Sequence, residues 1–361
     1  MKARNPARPG IAALESYSLV PELALPVRAK LDFNESPFDV PDDVKEKVFA
    51  RLKARRWSLY PEFGSGRLRN AIAASLERRP EEIVVGNGSG EILLAAINVF
   101  AGGGRLLLTP PTFSLYPQLA AIAQADVVAI PLLGDGFAFD EAAVLRSVEE
   151  SPRTIPLLCS PNNPTGTAAD VGFLRRLAAA APVLLVDQAY VDFAPDEASA
   201  FPLVDEGRDA VVFRTLSKAF AAAGFRIGYA VARPELAREV TKAILPFSVD
   251  QAAEELAVAL LENPAPARAR VLEIVRERER VAGALIRMGA KVAPAAGNFL
   301  FVEPPGGEPS RVRKELLALG ILVRDLGPSA PRRIRVTIGR REENDLFLEE
   351  LGQIVRRKEE P

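Results

Sequence analysis

The stretch Arg214-Thr215-Leu216-Ser217-Lys218, with Arg226 eight residues beyond the lysine, decides the reading of this chain. It continues an apolar run at residues 211–213, and from Ala219 to Gly224 every residue but Phe220 is Ala or Gly. Ser217 and Arg226 can both address a phosphate, the arginine through its planar fork of donors. The small residues between them let the backbone pass close to a ligand. Upstream, the apolar run at 183–186 ends in Asp187 with Tyr190 three residues on, and the run at 155–159 leads into Ser160-Pro161-Asn162-Asn163-Pro164-Thr165-Gly166. Both segments place polar groups just past apolar runs.

Those runs belong to a longer series. Short apolar segments at 83–85, 106–108, 127–130, 155–159, 183–186, 211–213 and 227–231 alternate with helical patterns such as 91–101 and 171–181. Such runs are predicted to be strands buried on both faces of a mostly parallel sheet. The series predicts a doubly wound α/β body, whose ligands bind beyond the carboxyl ends of the strands. Past Pro264 the character changes. Residues 268–288 are predicted to form a charged amphipathic helix with Leu272, Val275, Ala282, Leu285 and Ile286 on its inner stripe, and Arg276-Glu277-Arg278-Glu279-Arg280 as a solvated face. Strands are expected at 299–302, 322–324 and 334–338, and a closing helix from Glu342. The expected organisation is a large α/β domain over 31–264 and a smaller α+β domain built from 1–30 and 265–361.

Composition narrows the chemistry. The chain has 361 residues, 48% of them hydrophobic, and a formal net charge of -1, which gives no argument for a nucleic-acid or membrane partner. No apolar stretch is long enough to span a bilayer, and residues 1–10 have no apolar core behind them, so a cytoplasmic protein without a secretory signal is expected. Cys159 is the single cysteine, so no internal disulfide can form. There is no histidine, which excludes Ser-His-Asp and Cys-His catalysis, His-ligated zinc and an imidazole base. No metal is expected. Acid–base work near neutral pH falls to Lys, Tyr, Asp or Glu with shifted pKa values, or to a cofactor. Thirty prolines with two methionines also lean towards a thermophile's composition.

The polar groups match the needs of pyridoxal 5′-phosphate. Lys218 can condense with its aldehyde and, once released, move protons. Asp187 can keep the pyridine nitrogen protonated, although an aspartate there could equally cap a helix. Tyr190 and Asn163 are donors for the ring oxygen, and the prolines around Asn163 fix its turn. Gly86-Asn87-Gly88-Ser89-Gly90-Glu91 follows a predicted strand and opens a helix, so Gly88, Ser89 and Gly90 form a candidate phosphate site. A dinucleotide fingerprint needs one more residue in that spacing, and no acidic residue ends the next strand. Phe113 could lie over the cofactor ring or pack in the core.

With these residues in view, the chain resembles the fold-type I pyridoxal-phosphate aminotransferases, and among them the histidinol-phosphate aminotransferase family. The likeness runs from about residue 14 to 350 and is carried by Asn34-Glu35-Ser36-Pro37, Tyr60-Pro61, residues 160–166, Arg214 to Ala219 with Arg226, Arg335-Val336-Thr337-Ile338-Gly339, and Glu342-Glu343-Asn344. It implies a homodimer in which Tyr60 reaches the partner subunit's cofactor phosphate. It also implies that Tyr17 lies in an N-terminal lid, that Asn34 lies in a substrate-side loop, and that Arg335 grips the substrate anion with Arg324 nearby. Tyr116 and Tyr229 are expected only to pack. The implied reaction converts histidinol phosphate and 2-oxoglutarate to imidazole-acetol phosphate and glutamate. Gln188, Gly90 and Phe113 stand where the family pattern has Glu, Asp and Tyr. An aromatic amino-acid aminotransferase, a decarboxylase of a phosphorylated amino acid and a non-catalytic binding module remain as alternatives.

Overall fold

The computed structural model describes residues 6–14 and 26–359. Twelve strands among them run in chain order: β1 (Ala29–Leu31), β2 (Ile83–Asn87), β3 (Arg105–Leu108), β4 (Asp126–Ala129), β5 (Thr154–Cys159), β6 (Leu184–Asp187), β7 (Ala210–Thr215), β8 (Ile227–Ala232), β9 (Lys291–Val292), β10 (Phe299–Glu303), β11 (Ile321–Asp325) and β12 (Ile334–Thr337). Seven make one sheet in the order β2-β8-β7-β6-β5-β3-β4, and five make another in the order β1-β11-β12-β10-β9.

The large sheet is parallel except at β8, which runs antiparallel between β2 and β7. Its inner strands are buried on both faces because alternate residues feed two cores. Leu184 and Val186 join one cluster, and Leu185 joins the other. Helices Asp42–Ala54, Gly66–Ser75, Val171–Ala180 and Gln251–Glu262 cover the first face, and Ser89–Ala101, Leu115–Ile122 and Pro234–Lys242 cover the second. The outermost strand departs from expectation. At β4 most residues are exposed, because a sheet edge has a neighbour on one side only.

The five-stranded sheet divides its residues by the two-residue period of a strand. Leu300, Val302, Ile334 and Val336 enter a core with the helices Ala265–Arg287 and Arg341–Glu359. Phe299, Phe301, Arg335 and Thr337 therefore point to the opposite face, against the large sheet's loops. The predicted inner stripe of the Ala265–Arg287 helix needs correction: Ile274, Arg278, Val281 and Leu285 are buried, whereas Leu272 and Ile286 are exposed. Arg278 is also not part of a solvated face. Its Nη1 donates to the carbonyls of Phe193 and Gly297, at 3.0 and 2.8 Å, so its charge is spent holding two loops.

Candidate active site

The site starts where three parallel strands end, β5 and β6 level with each other and β7 running on to Thr215. In register, Cys159 of β5 stands beside Asp187 of β6, and Asp187 beside Phe213 of β7. Whatever follows each strand end must emerge at the same edge. Asn163, Asp187, Tyr190, Ser217 and Lys218 emerge there.

Asp187 is buried, accepting the Tyr116 hydroxyl at 2.7 Å and the Ala189 N–H at 3.0 Å. Burial raises its carboxyl above the ordinary range, and the two hydrogen bonds lower it only in part. A positive charge brought beside it would restore the anion. The expectation that Tyr116 only packs needs correction: its fully buried ring, edge-on to Phe113 at 5.5 Å, places a hydroxyl donor on the Asp187 carboxylate. Nothing in a helical apolar stretch such as Leu115–Ile122 marks that role. Tyr229 stays in the core of the large sheet.

The Tyr190 hydroxyl oxygen accepts from Asn34 Nδ2 at 3.1 Å and Asn163 Nδ2 at 3.4 Å. Two donors on the oxygen leave its proton free to donate outward. Burial pushes the phenol up to about 12, so it stays protonated. Lys218 Nζ donates to the Phe33 carbonyl at 2.9 Å and stands 5.8 Å from the centre of the Tyr190 ring. Lost hydration, followed by the Arg335 charge, pulls this amine down to about 7, although Glu35 opposes the shift. At neutral pH a large share of it is uncharged.

The end of the site that holds Gly88, Ser217 and Arg226 is built by close approach. Gly88 caps the Ser89–Ala101 helix with φ +76° and no capping side chain. A Cβ on Gly88 would lie 2.5 Å from Arg226 Nη2, and one on Gly228 would lie 2.1 Å from the Ser89 nitrogen. Only glycine allows the helix start, β8 and the guanidinium to meet. Arg226 itself adopts left-handed φ (+54°), and its Nη1 lies 3.5 Å from the Ser217 hydroxyl. Gly228 was not singled out from the sequence; only the register opposite Gly86 exposes its importance.

The second sheet supplies the opposite wall. Arg335 is buried, donates through Nη1 to Asn163 Oδ1 at 2.6 Å and through Nη2 to the Asp32 carbonyl. Arg324 stands directly across from it in the β11–β12 register, 5.9 Å from the centre of the Phe33 ring. The register thus brings two guanidinium-bearing residues to neighbouring positions on one face of the sheet. Asn34 has φ +53° and is fixed by Thr337 and Asn298, two residues that sequence reasoning gave no role.

Two expected residues stand apart. Tyr60 is exposed and stacks on Phe247, with ring centres 4.7 Å apart. Tyr17 lies outside the described residues.

A profile of the family described as Aminotransferase class I and II matches residues 28–351. This chain belongs to that family. It is a pyridoxal-phosphate-dependent aminotransferase of fold-type I. Among similar proteins, histidinol-phosphate aminotransferase 1 of Carboxydothermus hydrogenoformans is 36% identical over 327 residues, 90% of this chain and 93% of that protein. The histidinol-phosphate aminotransferase of Thermococcus kodakarensis is 37% identical over 326 residues, 90% and 92% of the two chains. The crystal structure of histidinol-phosphate aminotransferase from Sinorhizobium meliloti in complex with pyridoxal-5′-phosphate superposes with a TM-score of 0.86 at 25% identity, covering 99% of each chain.

For an aminotransferase, the residues present fit the cofactor. At Gly88 and Gly228 backbone N–H and guanidinium donors come together without intervening side chains, as a phosphate needs, while the raised Asp187 carboxyl calls for a cationic partner. The departures from the family pattern take none of this away. Gln188 is occupied with the Ala198 carbonyl and the Ala200 N–H at 2.7 and 3.0 Å, away from the site. No helix among the described residues is long and apolar enough to cross a membrane.

Proposed function

We propose that this aminotransferase moves the amino group of histidinol phosphate to 2-oxoglutarate, giving imidazole-acetol phosphate and glutamate, and that it works as a homodimer. The observation that carries the reading is the setting of Arg335. It is buried opposite Arg324 and tied through Asn163 to Tyr190, whose ring lies next to Lys218. The names of the relatives point to the same substrate. A guanidinium fork accepts a phosphate or a carboxylate through paired charge-assisted hydrogen bonds, so one arginine serves histidinol phosphate and glutamate in turn. Arg324 adds the second charge that a phosphate dianion requires.

In this reading Gly88, Ser89, Gly90, Ser217 and Arg226 hold the cofactor phosphate, Asp187 the ring nitrogen, and Tyr190 and Asn163 the ring oxygen. Phe113 lies over the ring face. Bound pyridoxal phosphate supplies an aldehyde that captures amines and a ring that withdraws electrons from the adjacent carbon. Tyr116 keeps the Asp187 carboxylate oriented. Lys218, neutral in part at pH 7, takes the proton from the substrate α-carbon through Nζ. Asn34 and Asn163 hold the Tyr190 oxygen so that its proton points to the cofactor.

The dimer is supported by a surface. Trp57, Leu59, Tyr60, Phe63, Leu245 and Phe247 are all exposed, and apolar clusters of that kind mark interfaces. Tyr60 would cross that interface to the partner subunit's phosphate site. The two-domain division, 31–264 against 1–30 with 265–361, is part of the same proposal, as is a cytoplasmic setting. The test is turnover of histidinol phosphate with 2-oxoglutarate present and then omitted, beside a separate incubation with phosphothreonine in which carbon dioxide is followed. Glutamate formed mole for mole from histidinol phosphate, with no carbon dioxide from phosphothreonine, supports the transaminase. Carbon dioxide released from phosphothreonine without 2-oxoglutarate would contradict it.

A further inference from the structure

Both ends of the loop that carries Tyr60 are tied to Glu255, and the neighbouring Glu254 lies 3.8 Å from Arg55 as well. Glu255 lies on the helix Gln251–Glu262 and is 1% exposed. Its Oε1 receives Arg55 Nε at 2.7 Å and pairs as well with Arg67 Nη1, while Arg51 Nη1 lies 3.9 Å from Oε2. Arg55 is the residue that ends the helix Asp42–Ala54, and Arg67 is in the first turn of the helix Gly66–Ser75. The two arginines flank the loop, so its entry and its exit meet on the same oxygen.

Between those anchors the loop is strongly exposed. Trp57, Leu59, Tyr60 and Phe63 are 77%, 54%, 80% and 77% exposed. Within it, Gln251 Nε2 donates to the Leu59 carbonyl at 2.9 Å, Trp57 Nε1 to the Leu52 carbonyl at 2.8 Å, the Leu59 N–H to the Arg56 carbonyl at 3.3 Å and the Ser65 N–H to the Glu62 carbonyl at 3.1 Å. The Glu62 carboxylate accepts the Arg67 N–H at 3.0 Å, and Tyr60 and Phe63 both pack on Phe247. Gly64 and Ser65, with φ of +71° and +48°, turn the chain back towards Arg67. A buried carboxylate cannot release its cations cheaply, because an unpaired charge would remain inside the protein. Glu255 therefore fixes the separation and direction of both loop ends, and with them the position of Tyr60.

We infer that Glu255 is a positioning residue whose clamp on Arg55 and Arg67 sets the reach of Tyr60 into the partner subunit's site. This rests on the proposed role of Tyr60 across the dimer. The clamp lies outside the cofactor residues of its own subunit, so its removal damages the neighbouring site and spares its own.

Mixed dimers separate the two. In full-length holoenzyme, Glu255→Gln should weaken retention of pyridoxal phosphate about tenfold, read as a dissociation constant from absorbance. Glu255→Asp, which keeps the charge, should recover most of the loss. An E255Q chain is then paired with a Lys218→Ala chain. The one intact site belongs to the E255Q subunit, yet it receives Tyr60 from a loop whose clamp is whole. Its dissociation constant should return to within about twofold of a wild-type/K218A dimer. Wild-type affinity in the E255Q homodimer, or no recovery in the mixed dimer, would overturn the inference. Tyr60→Phe goes through the same exchange. If Y60F also fails to recover, the reading of Tyr60 itself is wrong; if Y60F recovers and E255Q does not, only the clamp is wrong. Should E255Q not yield a dimer, Arg67→Gln, which cuts one anchor and leaves Arg55 on Glu255, takes its place with the same two outcomes.

Discussion

The two walls of the site are built by different means. At the edge of the seven-stranded sheet, functional groups sit on short loops just past the ends of parallel neighbours, and glycines bring main chain and guanidinium together. On the five-stranded sheet, Arg335 and Arg324 project from the strands themselves, fixed as cross-strand neighbours. The first wall suits a resident group held through small, close contacts. The second suits ligands that come and go, because long cations on rigid strands accept different anions without rearrangement. Asn163 joins the walls, giving one amide edge to Tyr190 and the other to Arg335. The difference teaches that cofactor retention and substrate affinity should be separable, except at that joint.

The largest expected effect comes from the first wall. Lys218→Ala should lower kcat by about 10⁴-fold in steady-state transamination, since it removes the buried amine, lowered to about 7, that is proposed to carry the proton. Next, Arg335→Lys should lower kcat/KM roughly a hundredfold, about 2.7 kcal/mol, through KM for both substrates, because an ammonium cannot make the paired contacts of a fork. An equal loss of cofactor affinity in that variant would break the separation. Tyr116→Phe should cost about tenfold in kcat with KM little changed, as it strips a donor from a buried carboxylate.

The pH dependence should sharpen the same contrast. With the Lys218 amine at about 7 and no histidine in the chain, capture of pyridoxal phosphate by the apoenzyme should fall about tenfold per pH unit below 7 and level off above it. The sign follows from the amine, which attacks an aldehyde only when neutral. Because its folded value lies below the ordinary lysine value of 10.5, the unfolded chain binds more protons between them. Apoenzyme stability should therefore rise with pH across that window, and Lys218→Met should remove the slope. The smallest catalytic effect is expected at Arg278→Met. Activity should change by less than about twofold while unfolding costs about 1–3 kcal/mol less, read by denaturant titration, because two buried carbonyls lose their donor.

Much of this was legible in the sequence, and the reasons for the rest are physical. The strands of the large sheet could be read because burial on both faces leaves uninterrupted apolar runs, and β4 misled because an edge strand can carry the same residues with one side open. Asp187, Lys218 and Arg226 could be singled out because they lie at or beside the ends of β6, β7 and β8, whereas Arg335 and Arg324 lie within strands and were named from the family likeness alone. Tyr116, Thr337 and Asn298 were not, since their value comes from partners 71, 303 and 264 residues away that only the fold brings near. Arg278 was hidden for a related reason. A charged run looks solvated until a particular turn of helix faces loop carbonyls, and Leu272 and Ile286 turned outward in exchange.

The most direct measurement is a half-reaction panel on protein loaded with pyridoxal phosphate, following the change in cofactor absorbance as histidinol phosphate, glutamate, phenylalanine and phosphothreonine are added one at a time. Rapid conversion by histidinol phosphate and by glutamate, with phenylalanine at least about tenfold slower, is the predicted result. Faster conversion by phenylalanine than by histidinol phosphate would contradict the account and move the chain to aromatic amino acids.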